Sequence, residues 1–91
     1  MQALKLTIIG QVQGVGYRRW FEKQALELNL KGYVKNLDTG EVEAVIVGEE
    51  RAIQEMLKCS LVGPLRSQVK KIEREKLNLE DAQYDDFKML R

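Results

Sequence analysis

Histidine is absent from this sequence, and cysteine occurs once, as Cys59. Without histidine the chain lacks the commonest general base and the commonest metal ligand, which excludes hydrolases that pair histidine with serine or cysteine. A single cysteine cannot form an internal disulfide or a cysteine-based zinc site, and this usage fits a reducing compartment. Any chemistry therefore has to come from other groups.

The chain also lacks a large excess of charge of either sign. Fifteen lysines and arginines against fourteen aspartates and glutamates leave a net charge of +1, so no overall field attracts nucleic acid or an anionic membrane. Two phenylalanines, three tyrosines and one tryptophan are few for a base-stacking surface. RNA binding is therefore the weakest functional hypothesis for this chain. No segment is apolar enough for a signal peptide or a membrane span. We expect a soluble, cytoplasmic protein without nucleic-acid or membrane partners.

The length of 91 residues fits one domain over residues 1–91. A chain of this size buries roughly two-thirds of its unfolded surface around a single core. A small domain with a complete core needs no partner, so we expect a monomer.

Apolar periodicity predicts the order of the elements. Leu4, Leu6 and Ile8 alternate with polar residues, as in a strand with one buried face. From Tyr17 the spacing becomes helical, with an apolar face of Tyr17, Phe21, Ala25 and Leu28. Residues 31–37 and 41–47 predict an antiparallel hairpin around Asp38-Thr39-Gly40. The sequence thus begins with a strand, a loop, a helix and a hairpin.

The second half predicts a helix and a strand. The helix begins after Gly48, carries Ile53, Met56, Leu57 and Leu61 on one stripe, and ends at Gly63-Pro64. A strand follows over residues 68–77, where Val69 and Ile72 lie on opposite faces unless a bulge intervenes. Residues 78–86 are expected to form a loop before a short edge strand at Phe87 and Met89.

The order βαββαβ predicts an α+β fold of the ferredoxin-like, split βαβ type. In this sandwich, two helices cover one face of a four-stranded antiparallel sheet. The C-terminal edge strand is an addition to it. Because small enzymes, RNA-binding modules and metabolite sensors share this scaffold, the function has to be argued from residues placed on it.

The loop between the first strand and the first helix is the most informative stretch, with Gly10, Gly14 and Gly16 before Arg18. A strand that leads through glycines into a helix start presents free backbone N–H groups, which suit an anion. Such glycines also serve tight turns, and alone they leave the two interpretations about equal. Arg18 favours the anion, because the helix dipole disfavours a cation at this end unless an anion lies between them. The expected ligand is a phosphate group.

Asn36 is the second candidate, near the end of the strand that precedes the hairpin. Asparagine before a glycine-containing loop often only shapes the turn. The hypothesis we favour is that its carboxamide holds a water in line with the bound phosphorus and accelerates attack by positioning.

Two motifs make the chain resemble the acylphosphatase family from about Leu4 to Phe87. The first is G-x-V-Q-G-V-x-aromatic-R, met by Gly10, Val12, Gln13, Gly14, Val15, Tyr17 and Arg18. The second is G-aromatic-V-basic-N followed by spaced glycines and valine, met by Gly32, Tyr33, Val34, Lys35, Asn36, Gly40, Val42 and Gly48. Tyr17 stands where the family usually has phenylalanine, and its hydroxyl needs a partner if the ring is buried.

The resemblance implies hydrolysis of an acyl phosphate to a carboxylate and inorganic phosphate, without a metal or another cofactor. It implies that Arg18 and Asn36 are the catalytic residues, with Arg18 binding the phosphate and Asn36 orienting the attacking water. The phosphate would also bind the loop N–H groups, which we take as the backbone amides of Gly14, Val15, Gly16, Tyr17 and Arg18. The partner is then a small-molecule acyl phosphate. The alternative is a module of the same fold that binds phosphate or another anion without catalysis.

Overall fold

The computed structural model describes residues 1–91 and contains five strands and two α-helices. The strands are β1 (Gln2–Gln11), β2 (Lys31–Asn36), β3 (Val42–Gly48), β4 (Gln68–Lys76) and β5 (Phe87–Met89). The helices are α1 (Tyr17–Glu27) and α2 (Glu50–Val62), and a 3₁₀ turn occupies Leu79–Asp81.

All strands belong to one sheet of order β4-β1-β3-β2-β5. The pairs β1–β3, β1–β4 and β2–β3 are antiparallel, which confirms the predicted split βαβ sheet of four strands. The short fifth strand lies beside β2, as an edge strand, and runs parallel to it. The sheet is therefore mixed, with the predicted extra strand at one edge.

The main core lies between one face of the sheet and the two helices. Leu6 and Ile8 of β1 are fully buried there together with Phe21 and Ala25 of α1, and Leu28, just after α1, packs partly against them. Full burial of a leucine, isoleucine or phenylalanine side chain stabilises the fold by roughly 1.5–3 kcal/mol. The alternation in β1 and the helical spacing in α1 were thus sufficient to identify this layer.

The prediction that Leu61 belongs to the buried stripe of α2 is wrong. Leu61 is 55% exposed, and Ser60 is buried in its place, beside Ile53, Met56 and Leu57. At about 100° per residue, Ser60 lies about 20° around the helix from Ile53, whereas Leu61 lies about 80° away. The prediction failed because Ser60 is polar and yet occupies a core position of α2.

A β-bulge resolves the conflict in β4. The pairing between β1 and β4 shifts at Ile9 and Gly10, so that Gly10 pairs with Val69 and Ile8 pairs with Ile72. Val69 and Ile72 consequently both pack partly against the main core. Gly10 has φ 141°, and a side chain there would collide with the backbone of β4, so this position requires glycine.

The opposite face of the sheet carries a smaller cluster. Ala3, Val45 and Val47 are buried on this face with Ala82, and Tyr33, Leu77 and Tyr84 pack against them. The segment 78–86, predicted only as a loop, therefore contributes a 3₁₀ turn and two side chains that cover part of the sheet.

The register brings several connections to one end of the sheet. Val42 at the start of β3 pairs both with Ile8, near the end of β1, and with Asn36 at the end of β2. The glycine loop, defined here as residues 12–16, thus emerges beside the hairpin connection of residues 37–41. The fold places these two connections where their residues can form one site.

Candidate active site

The glycine loop connects β1 to α1 and takes a backbone conformation that requires its glycines. Gly14 has φ 74° and Gly16 has φ 80°, both in the left-handed region that favours glycine. Gly16 is the N-cap residue of α1, and no side chain caps this helix. A methyl group added at either glycine would meet no other atom of the protein within 4 Å. The loop therefore borders open space at a helix N-terminus.

The backbone amides of this region have no acceptor in the protein's main chain. The first backbone hydrogen bond of the region is donated by Trp20 N to Gly16 O, at 3.1 Å, and none is donated by residues 14–19. No side-chain oxygen accepts from them either. Six successive N–H groups are consequently free to donate to a ligand or solvent, and the partial positive charge of the helix end favours an anion.

Five of these six residues line a small cavity of about 170 Å³. Its walls combine the loop, the start of α1, the end of β2 and β5, through Val12, Gly14, Gly16, Tyr17, Arg18, Arg19, Asn36 and Met89. Of the residues predicted to bind phosphate through their amides, Val15 is not among the lining residues, and its side chain packs against the main core. The structure thus brings Arg18 and Asn36, which are distant in sequence, to one cavity.

Arg18 is held at the cavity from the side of β5. Its Nη1 donates a hydrogen bond of 2.6 Å to the carbonyl oxygen of Leu90. Leu90 N in turn donates to Val34 O at 2.8 Å, and Met89 N donates to Glu22 Oε2 at 3.2 Å, so this end of the chain is anchored to β2 and α1. The guanidinium therefore has a fixed support that leaves other N–H donors available.

No carboxylate neutralises the positive charge at this cavity. The three ion pairs of the protein are Lys5–Glu43, Lys35–Glu43 and Lys71–Glu73, and α1 has no acidic residue in its first turn. Arg18 and Arg19 follow one another at the positive end of the helix dipole. Two guanidinium groups and unpaired amides in one place constitute a site for an anion.

Asn36 supplies the uncharged polar group of the cavity. Its side-chain oxygen Oδ1 is buried and has no hydrogen-bond partner in the protein. A buried acceptor without a partner costs about 1–3 kcal/mol, so such an atom is suited to accept a hydrogen bond from a bound water or ligand. This observation favours a binding role of Asn36 over a role limited to the turn.

Tyr17 directs its hydroxyl away from the cavity. The side chain is 1% exposed, and its Oη donates to the carbonyl oxygen of Ser60 in α2 at 2.8 Å. Burial raises the pKa of this phenol above its ordinary value, which keeps it protonated at neutral pH. The partner required for the buried hydroxyl is therefore a main-chain carbonyl, and the phenol is no acid or base for chemistry in the cavity.

Three residues near the cavity were missed by sequence reasoning. Sequence reasoning did not single out Arg19 and assigned Met89 only to an edge strand, yet both line the cavity. Gln13 was noted only within the motif, although its Nε2 donates to Leu37 O at 2.8 Å and to Glu41 O at 2.9 Å. A signal existed for Arg19, as a second cation in a first helical turn. Met89 and Gln13 depend on contacts that no local pattern reveals.

A larger concavity lies nearby and is less suited to an anion. It measures about 610 Å³ and lies between the end of β1, the hairpin connection and the start of β4. Its charged lining side chains are Glu41 and Lys70, which oppose one another in sign. No group of three or more histidine, cysteine, aspartate or glutamate residues could hold a metal ion. Neither helix has the length and hydropathy to cross a bilayer.

Comparison with known proteins finds similar chains over nearly the whole length. The family model described as Acylphosphatase matches residues 4–89. The curated acylphosphatase of Archaeoglobus fulgidus is 39% identical over 89 residues, covering 98% of this chain and 98% of that protein. That of Vibrio vulnificus is 40% identical over 86 residues, covering 94% and 93%. The crystal structure of acylphosphatase from Bacillus subtilis superposes with a TM-score of 0.91 at 32% identity and covers 100% of both chains.

Proposed function

This chain belongs to the acylphosphatase family and is a hydrolase of acyl phosphates, and we propose that Arg18, Asn36 and the amides of the glycine loop carry the reaction. The reaction attaches water to phosphorus and breaks the bond between phosphorus and the acyl oxygen. Its products are a carboxylate and inorganic phosphate. The single observation that carries the proposal is that one cavity contains Arg18, the glycine loop and the buried, unpartnered Oδ1 of Asn36.

The chemistry of the substrate is compatible with a site that has few catalytic groups. The leaving group is a carboxylate whose conjugate acid has a pKa of roughly 4, so it departs at neutral pH without a general acid. The bound phosphate is itself basic enough to take the proton of the incoming water. The protein then has to hold the phosphate, stabilise the developing negative charge and orient the water.

We assign these tasks to different groups. Arg18 and the amides of Gly14, Val15, Gly16, Tyr17 and Arg18 bind the phosphoryl oxygens through charge-assisted hydrogen bonds. Asn36 accepts a hydrogen bond from the attacking water through Oδ1 and aims it in line with the leaving group. No step uses a metal ion.

Two variants separate binding from orientation in an assay with benzoyl phosphate. Arg18→Ala is expected to nearly abolish turnover through loss of substrate binding. Asn36→Ala is expected to lower kcat about 100-fold or more while the inhibition constant of inorganic phosphate stays within about threefold, because one positioned group typically contributes this much. The exposed residues Arg51 and Asn78 give matched controls, Arg51→Ala and Asn78→Ala, with unchanged kinetics. An unchanged rate in Asn36→Ala would refute the assignment of Asn36.

The non-catalytic anion-binding module is not favoured, since curated relatives that match nearly the whole chain are named acylphosphatase. A site that binds only the phosphoryl end tolerates varied acyl groups, so we propose broad substrate use.

The molecule as a whole is proposed to act as a single domain over residues 1–91. We further propose that it is a cytoplasmic monomer with no nucleic-acid or membrane partner. The near balance of charge and the single cysteine support this proposal. Light scattering coupled to gel filtration would give the mass of one chain, and twice that mass would contradict the proposal.

A further inference from the structure

Gln13 joins the two halves of the candidate active site. Its side-chain Nε2 donates to the carbonyl oxygens of Leu37 and Glu41, at 2.8 and 2.9 Å, which uses both hydrogens of the amide. The side chain is partly buried, so these bonds are less exposed to competition from water than surface bonds. Leu37 and Glu41 are the residues that close the hairpin, since Leu37 N donates to Glu41 O at 2.8 Å.

Gln13 and its two acceptors lie next to the two proposed parts of the site. Gln13 directly precedes Gly14, the first of the residues whose amides are assigned to the phosphate, and Leu37 directly follows Asn36. The side-chain amide of Gln13 therefore connects the glycine loop, whose amides are assigned to the phosphate, with the hairpin next to Asn36, which is assigned to the water. These two bonds are also the only hydrogen bonds between residues 12–16 and residues 36–41.

Catalysis by positioning is sensitive to such a connection. If Asn36 acts only by aiming a water, its distance from the bound phosphorus has to be constant, and an error of about 1 Å can cost about 100-fold in rate. Apart from the two bonds of Gln13, no hydrogen bond joins the glycine loop to residues 36–41. A side chain that fixes the loop to the hairpin supplies the missing constraint.

We propose that Gln13 is a positioning residue that fixes the distance between the amides of the glycine loop and the carboxamide of Asn36. The proposal rests on the roles assigned to these groups under the proposed function. Gln13 touches neither the phosphate nor the water, and it acts through Asn36.

The first test replaces the donor by a side chain of similar length. Gln13→Met removes both hydrogen bonds, and Gln11→Met is the control, because Gln11 is exposed at the end of β1, two residues before Gln13. With benzoyl phosphate, Gln13→Met should lower kcat about 10- to 100-fold, and the inhibition constant of inorganic phosphate should change by less than about threefold. An unchanged kcat, or a large loss of phosphate affinity at unchanged kcat, would overturn the proposal. Gln13→Leu is a second donor-free variant in case the first does not fold.

The decisive test is a double-mutant cycle with Asn36→Ala. If Gln13 acts by positioning Asn36, then Gln13→Met should change kcat by less than about twofold in a chain that already carries Asn36→Ala. A loss of equal size in both backgrounds would mean that Gln13 stabilises the site in general, and would refute the positioning role. The role assigned to Asn36 under the proposed function is tested separately, because it fails if Asn36→Ala alone leaves kcat unchanged.

Discussion

Arg18 illustrates at the scale of one residue how an unfavourable position becomes functional. A cation in the first turn of a helix is disfavoured by a few tenths to about 1 kcal/mol, and no carboxylate compensates for it here. The hydrogen bond to Leu90 O fixes the guanidinium without neutralising it. An anion at the cavity would interact favourably with both the side chain and the helix end, which is why we place the phosphate there.

Gly16 offers a residue-scale test of the amide shell. Gly16→Ala should raise the inhibition constant of inorganic phosphate about tenfold or more, because the new methyl group would occupy the open space beside the amides. It should also lower the free energy of unfolding by about 1–2 kcal/mol, since alanine disfavours φ 80°. Inhibition kinetics and urea unfolding measure the two effects.

Gly40 provides the matched control for this variant. It also has a positive φ, of 100°, and a methyl group there meets no atom within 4 Å, but it lies in the hairpin connection. Gly40→Ala should therefore destabilise the protein and leave phosphate inhibition unchanged. Equal losses of phosphate affinity in both variants would contradict the placement of the ligand at Gly16.

Sequence reasoning identified the residues whose role is encoded locally. Gly14, Gly16 and Arg18 follow one another before a helix, and Asn36 precedes a turn, so spacing alone indicated them. Gln13 was missed as a connecting residue because its acceptors lie 24 and 28 residues away, and the support of Arg18 by Leu90 spans 72 residues. Contacts of this range follow from the packing of elements and not from any local pattern.

At the scale of the elements, Tyr17 of α1 completes the end of α2. The carbonyl oxygen of Ser60 would normally accept from the N–H four residues on, but that residue is Pro64, which has none. The hydroxyl of Tyr17 donates to this oxygen instead, at 2.8 Å. The side chain of Tyr17 in α1 therefore caps the C-terminal end of α2.

Tyr17→Phe should lower the free energy of unfolding by about 1–2 kcal/mol, because a buried carbonyl loses its donor. Urea unfolding at pH 7 measures the change. Tyr84→Phe is the control, since the hydroxyl of this partly buried ring makes no hydrogen bond within the protein, and it should change the stability by less than about 0.5 kcal/mol. Similar values for the two variants would contradict the capping role.

The buried faces of the elements were predictable where the apolar period was regular, and the prediction failed where that period was interrupted. The faces of β1 and α1 follow from alternation and helical spacing. In α2 the core position of Ser60 was hidden by its polarity, and in β4 the faces of Val69 and Ile72 depend on a bulge formed with Gly10 of another strand. Bulges and buried polar residues are decided by the neighbouring element.

At the scale of the whole molecule, Glu43 of β3 connects three strands on the sheet face opposite the helices. Tyr33 Oη of β2 donates to its Oε2 at 2.7 Å, and the ammonium groups of Lys5 in β1 and Lys35 in β2 each lie 3.6 Å from a carboxylate oxygen. Burial opposes ionisation, but the hydrogen bond from Tyr33 and the two lysines outweigh it and hold the pKa of Glu43 below its ordinary value of 4.5.

A lowered pKa predicts how this connection depends on pH. The ionised carboxylate stabilises the fold above pH 4.5, and that stabilisation is lost as the pH falls through the pKa of Glu43 in the folded protein. Glu43→Gln should therefore lower the free energy of unfolding by about 1–2 kcal/mol at pH 7 and by progressively less below pH 4.5. Urea unfolding at several pH values measures the difference.

Glu73→Gln is the control for Glu43, because Glu73 and its partner Lys71 are 62% and 63% exposed. An exposed pair of this kind contributes under about 1 kcal/mol. A difference between Glu43→Gln and the unmodified chain that is the same at pH 3 and pH 7 would contradict the account.

The sandwich itself was predictable from the sequence, but its outer parts were not. The order of strands and helices leaves few alternatives for a four-stranded core. The parallel direction of β5, and the packing of Ala82 and Tyr84 over the sheet, depend on where a short segment finds an apolar surface. Three residues in β5 carry too little pattern to specify a partner strand.

The measurement that tests the central claim most directly is a titration of the ¹⁵N-labelled protein with inorganic phosphate, followed by the backbone amide resonances. The account predicts saturable shifts concentrated in residues 14–19, and much weaker binding in Arg18→Ala. Shifts centred instead on residues 39–41 and 68–70, or no saturable shifts at all, would contradict the claim that the amides of the glycine loop and Arg18 bind the phosphoryl group.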